Sequence, residues 1–205
     1  MKKIAVIGTG GINSWVVKYL KELTDLFDKQ KLIYVKLFDK DEIEEKNLLR
    51  GNQNFEVEDL MLQKGEVLGK RYDFDYEITF ITEDNLSLLS NFNDIIVGVD
   101  NNKTRRLLYE YALKNKQYLL DLRAQGTQMM YTVLDHRKDM KYYDDKYFSN
   151  KKLMEKKGSC QLTNDITNDH IENANKTIAY LGIYCLYLKH LRGEQLASNE
   201  WKFVY

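Results

Sequence analysis

No proline occurs among the 205 residues, so the turns must rest on Gly, Asn and Asp. Cysteine is almost as scarce: Cys160 and Cys185 are too few for a disulfide framework or a four-cysteine zinc site. His136, His170 and His190 show no His-x-His spacing, so neither a structural zinc nor a secreted origin is expected. No excess of one charge exists either, because Lys+Arg and Asp+Glu each total 31. Bulk charge therefore draws the chain neither to nucleic acid nor to an anionic membrane. Apolar runs approaching the roughly 18–20 residues of a membrane span are missing. Lys2 and Lys3 precede only a short apolar run before Gly8, which does not make a leader. The expected location is cytoplasmic.

The length suits one α/β domain, 1–205, that buries roughly 70% of its unfolded surface. Ile4–Ile7 reads as a buried first strand, and Trp15, Val16, Tyr19, Leu20, Leu23 and Leu26 then recur at helical spacing. Further strands are expected at 32–38, 76–81, 95–99, 118–122 and 127–134, and helices at 58–71, 84–90, 103–115 and 169–191. This alternation implies a doubly wound, mainly parallel sheet covered by helices on both faces, with an antiparallel strand toward its C-terminal side. Residues 135–158 are rich in Lys, Asp and Tyr without a period and read as a surface loop, within a crossing segment that extends to 168. On the last helix, Ala174, Ile178, Leu181, Cys185 and Leu188 share one face, which makes Cys185 a core residue.

Chemistry concentrates where strands end. Gly8-Thr9-Gly10-Gly11 joins the first strand to the first helix, and glycines there let backbone N–H groups approach an anion at a helix N-terminus. Asn13 stands where a dinucleotide fingerprint has its third glycine. Asp39 ends the second strand, where it suits the ribose hydroxyls of an adenosine nucleotide. Asp100 ends the fourth. Asn47 and Arg50 are one helical turn apart, and Lys64 lies in the next helix. Parallel sheets bind ligands beyond the carboxyl ends of their strands, where Gly8, Asp39 and Asp100 converge.

In order and spacing these segments resemble the ThiF/MoeB family, the adenylation domains shared with ubiquitin-activating enzymes. The resemblance rests on Gly8-Thr9-Gly10-Gly11, Asp39-Lys40-Asp41-Glu42-Ile43-Glu44 leading to Asn47-Leu48-Leu49-Arg50, a downstream lysine, and Asp100-Asn101-Asn102-Lys103-Thr104-Arg105, over residues 3–126. It implies a Rossmann-like fold and an ATP-dependent adenylyltransferase. Its substrate would be the C-terminal carboxylate of a small ubiquitin-like or sulfur-carrier protein, commonly ending Gly-Gly. It also implies a homodimer. Carried over by position, Gly8, Gly10 and Gly11 would hold phosphates and Asp39 the ribose, next to Asp41. Asn47, Arg50 and Lys64 would surround the triphosphate, and Asp100 would hold Mg²⁺. Asn101 and Arg105 would support the site. Lys64 needs one inserted residue after Arg50 to align, so Lys70 stays open as its substitute. The chemistry fits this set, because a carboxylate attacking a phosphate needs cations and no general base.

Three features depart from the family. No arginine precedes Gly8 to reach a partner subunit's ATP, the paired Cys-x-x-Cys motifs are missing, and Gly51 follows Arg50 where Gln is usual. Cys160, in Gly158-Ser159-Cys160-Gln161, has two readings: a thioester-forming nucleophile on a crossing loop, or a small structural residue. Ser159-Cys160 ahead of a terminal helix also resembles the ThiF-type proteins of PRTRC gene clusters. Two other functions compete. An NAD-dependent oxidoreductase would use the glycine turn and Asp39 but leaves Asn47, Arg50 and Asp100 unexplained. A non-catalytic scaffold subunit would keep the fold without the full site.

Overall fold

Ile4 and Val6 of the first strand enter one apolar cluster while Ala5 and Ile7 enter another, so this strand is buried on both faces. The computed structural model describes residues 1–27, 33–49, 52–125, 128–149, 170–193 and 199–202. Strands β1 (Lys2–Ile7), β2 (Ile33–Phe38), β3 (Asp75–Glu77), β4 (Asp94–Val97) and β5 (Tyr118–Gln125) run parallel. Antiparallel to β5 comes β6 (Gln128–Val133), followed by antiparallel β7 (Asn199–Lys202), giving the order β3-β2-β1-β4-β5-β6-β7. The Ile4 and Val6 face is covered by α1 (Gly11–Phe27), α3 (Lys64–Tyr72) and α6 (His170–Tyr187). Between them lies the single turn α2 (Glu45–Leu48). The opposite face is covered by α4 (Asn102–Asn115), α5 (Met140–Tyr143) and a 3₁₀ segment, Glu83–Leu89. The doubly wound, mainly parallel architecture is as the sequence predicts.

β5 runs on to Gln125, β4 stops at Val97 and β7 is an addition to the expected strands; three further differences show local detail. The helix expected over 58–71 starts only at Lys64. Before it, Asp59 Oδ2 accepts the Glu56 N–H (2.7 Å) and an Arg71 N–H (2.5 Å), closing a 3₁₀ turn, and Met61 follows with φ 67°. The strand expected over 76–81 stops at Glu77, and Ile78 and Phe80 beyond it are exposed. Within the predicted loop 135–158, residues 140–148 are helical, because buried Tyr143 and Phe148 pack edge-on to Tyr109 with ring centroids 5.1 and 5.3 Å away. The charged residues between them hide that anchor from a periodicity reading. Without proline, α3 and α4 end on left-handed Asp73 and Lys116, the latter a residue type not foreseen for a turn.

At the amino end of β4, fully buried Asp94 meets Lys189 and lies 2.7 Å from His190 Nε2, so the tail of α6 is pinned to the sheet. Burial alone would raise the Asp94 carboxyl, but these two neighbours hold it below its ordinary range. Cys185 is 2% exposed, and burial pushes its thiol up to about 11, as suits a core residue. Among the described residues no helix is long and apolar enough to cross a membrane.

Candidate functional site

Strand order reverses between β1 and β4, which makes their carboxyl ends the crevice where such sheets take ligands. Two glycines bring these ends together. Gly8 has φ +75° and donates its N–H to Phe38 O (2.9 Å), and a Cβ there would stand 2.8 Å from Val99 Cγ1. Gly98 donates to Ile7 O (3.0 Å), and a Cβ on it would collide with the Asn13 carboxamide. That explains Asn13 in place of a third fingerprint glycine. Its Nδ2 donates to Ile7 O (3.2 Å) and Gly8 O (2.8 Å), tying the end of β1 to α1, while Gly98 supplies the space.

Asp39 is only 3% exposed and faces the glycine turn. Its Oδ2 accepts Thr9 N–H (2.6 Å) and Thr9 Oγ1 (3.0 Å), and its Oδ1 accepts Asp41 N–H (2.8 Å). The carboxylate therefore clamps the turns after β1 and β2 to each other, and any ribose contact must use its remaining lone pairs. Asn47 is likewise engaged internally. Its Oδ1 accepts the Glu44 N–H (2.9 Å) and caps α2.

Lys64 opens α3, whose first N–H bonds Asp41 O (2.8 Å). It is 7% exposed, not on a solvated helix face, and its Nζ lies 3.8 Å from Asp41 Oδ2. Lys70, the alternative lysine, reaches away to Glu66 (2.6 Å) on the surface. The Asp41 carboxyl is raised above its ordinary range by burial first, then by the charge of Asp39, with Asp100 and Glu44 adding and Lys64 opposing. Asp39, Asp41, Lys64 and Asp100 thus share one field.

Asp100 is exposed at the carboxyl end of β4. Behind it, Asn101 Oδ1 accepts the Thr104 N–H (2.8 Å) and caps α4. Arg105 turns inward to Val99 O, to Leu122 O (3.2 Å) and to the fully buried carboxylate of Asp121. Its guanidinium fixes the backbone that presents Asp100 and does not itself line the crevice. Sequence reasoning missed Thr9, Gly98 and Asp121, although the glycine two residues before Asp100 was a readable signal. Arg50 and Cys160 lie outside the described residues. Asp41 and Asp100 both present exposed carboxylates, whose oxygens are of the hard type a divalent cation takes, and the charge of Asp100 acts on Asp41; among the described residues no group of three or more His, Cys, Asp or Glu is gathered closely enough to hold a metal ion.

The model of the ThiF family matches residues 1–183. The chain belongs to the ThiF family. No curated protein matches the sequence. Among solved structures, this ThiF-family chain is similar to E. coli MccB with succinimide, at TM-score 0.68 and 13% identity over 98% of this chain and 64% of that one. It is also similar to E. coli MccB with selenomethionine MccA, at TM-score 0.69 and 14% identity over 98% and 63%. A third likeness is to PaaA, at TM-score 0.63 and 12% identity over 100% and 73%. At these identities the likeness is one of fold, and the chain spans less than two thirds of the length of MccB.

Proposed function

We propose that this chain is an ATP-dependent adenylyltransferase that activates the C-terminal carboxylate of a small ubiquitin-like or sulfur-carrier protein. The single observation carrying this reading is the nearly buried Lys64 ammonium beside Asp41, at the edge that the glycine turn and Asp100 share. A nearly buried ammonium, on the first residue of α3 and 3.8 Å from the Asp41 carboxylate, suits a phosphate. Family membership supports adenylation, and the pairing of the similar MccB with MccA supports a bound partner for this chain.

In the reaction the partner's carboxylate oxygen forms a bond to the α-phosphorus, and the bond from that phosphorus to the bridging oxygen breaks. Pyrophosphate leaves and an acyl-adenylate remains. No base is required, because the nucleophile is already ionised. Lys64, with Arg50, offsets charge on the phosphates; Gly8, Gly10 and Gly11 present the turn on which they rest. Asp100, whose charge also acts on Asp41, would hold Mg²⁺, which when bound would neutralise charge on the phosphate oxygens. Asp39 and Asn47 keep the surrounding turns in place, and Arg105 steadies Asp100.

Exchange of labelled pyrophosphate into ATP tests the proposal. Exchange should depend on a small protein with a free Gly-Gly terminus and vanish when that terminus is amidated. Exchange with none of a panel of such proteins would refute the adenylyltransferase reading.

A further inference from the structure

Asn52-Gln53-Asn54 lies against the start of α1, held from both sides of Gln53. Asn52 O accepts Trp15 Nε1 (3.4 Å) and Asn175 Nδ2 (3.1 Å), while Asn54 N–H donates to Ser14 Oγ (3.0 Å) and Asn54 Nδ2 to Ser14 O (3.3 Å). Gln53 between them is 6% exposed, and its Oε1 is buried without a hydrogen-bond partner among the described residues. That oxygen sits 3.9 Å from where a Cβ of Gly10 would be, and is Gly10's nearest neighbour in that direction. Gly10 immediately precedes α1, whose first intrahelical bond runs from Ser14 N to Gly10 O (2.8 Å). The N–H groups ahead of that bond have no intrahelical acceptor and attract anions.

A buried amide oxygen without a partner is unfavourable unless a ligand completes it. Its oxygen has no bond to lose, so half a turn of the carboxamide puts Nε2–H in the same position. We infer that Gln53 is a phosphate-binding residue of the site, donating Nε2–H to a phosphate oxygen of ATP that rests on the N-terminus of α1. The inference rests on the nucleotide reading above and adds a residue that no motif of the sequence indicates. The hydrogen bonds of Asn52 and Asn54 hold the segment that carries Gln53, so only its carboxamide has to turn when the ligand arrives.

Calorimetric titration of the full chain with Mg·ATP, beside thermal melts, tests this. Gln53→Met keeps the volume and removes the donor; ATP affinity should fall about tenfold, as for a hydrogen bond to a charged acceptor, with Tm unchanged or raised. Gln53→Glu is nearly isosteric and sets an anion against the phosphate, so its loss should be larger at pH 8. That loss should shrink as pH falls and the carboxyl protonates. ATP affinities within twofold of wild type in both variants would overturn the assignment of Gln53 while leaving the nucleotide site standing. Absence of ATP binding by the wild-type chain would overturn both.

Discussion

Lys64→Met is expected to lower the rate of ATP–pyrophosphate exchange by about 10²–10³-fold, the usual effect of removing one charge aimed at a reacting phosphate or oxyanion. The same substitution should leave Tm unchanged or raise it. Lys64 is 7% exposed, and the carboxylate it faces stands 3.8 Å away and is itself largely in solvent. Such a charge is expensive to bury and poorly compensated without a ligand. Methionine keeps the stem's packing and removes that penalty. Activity lost together with several degrees of Tm would instead make Lys64 a structural partner of Asp41. Exchange rates and melts on the same preparation separate the two.

A second large effect is expected at Gly98, which acts through packing alone. Gly98→Ala should destabilise the fold by roughly 3 kcal/mol, the upper range for overpacking, or about 6–12 °C in Tm for a chain of this size. Its new Cβ would strike the Asn13 carboxamide, which holds Ile7 O and Gly8 O. Asn13→Ala alone should also destabilise, by removing those two hydrogen bonds. Combined, the two substitutions should be less harmful than their sum, because the alanine at 13 vacates the space the other needs. Strict additivity in denaturant melts would show that Asn13 and Gly98 do not act as one joint between β1 and β4.

Much of this was readable in the sequence. The alternation of short apolar runs with helix-spaced segments is a local pattern, and it yields the parallel sheet with α1, α4 and α6 close to where they stand. Motif residues at strand ends also converge as expected, because a parallel sheet sends all its carboxyl ends to one edge. What could not be read was the direction in which a polar side chain spends its hydrogen bonds. Asp39 and Asn47 look like ligands in a motif, yet Thr9, Asp41 and Glu44 occupy them. Arg105 reads as a residue that supports the site, yet the pattern does not show how: it pairs with Asp121, sixteen residues on in sequence but in contact in the fold. For Lys64 the motif gives the residue but not its burial, which only the packing of α3 supplies. Gln53 has no pattern at all; only its burial without a partner singles it out.

The account depends most on the edge shared by β1, β2 and β4 being a nucleoside triphosphate site. Titration of wild type and Asp100→Ala with ATP and with NAD, each with and without Mg²⁺, tests that directly. Binding of Mg·ATP at one site per chain, no saturable binding of NAD, and at least a tenfold loss on Asp100→Ala that disappears when Mg²⁺ is chelated is the predicted result. Preference for NAD, or Mg·ATP affinity indifferent to Asp100, would contradict it.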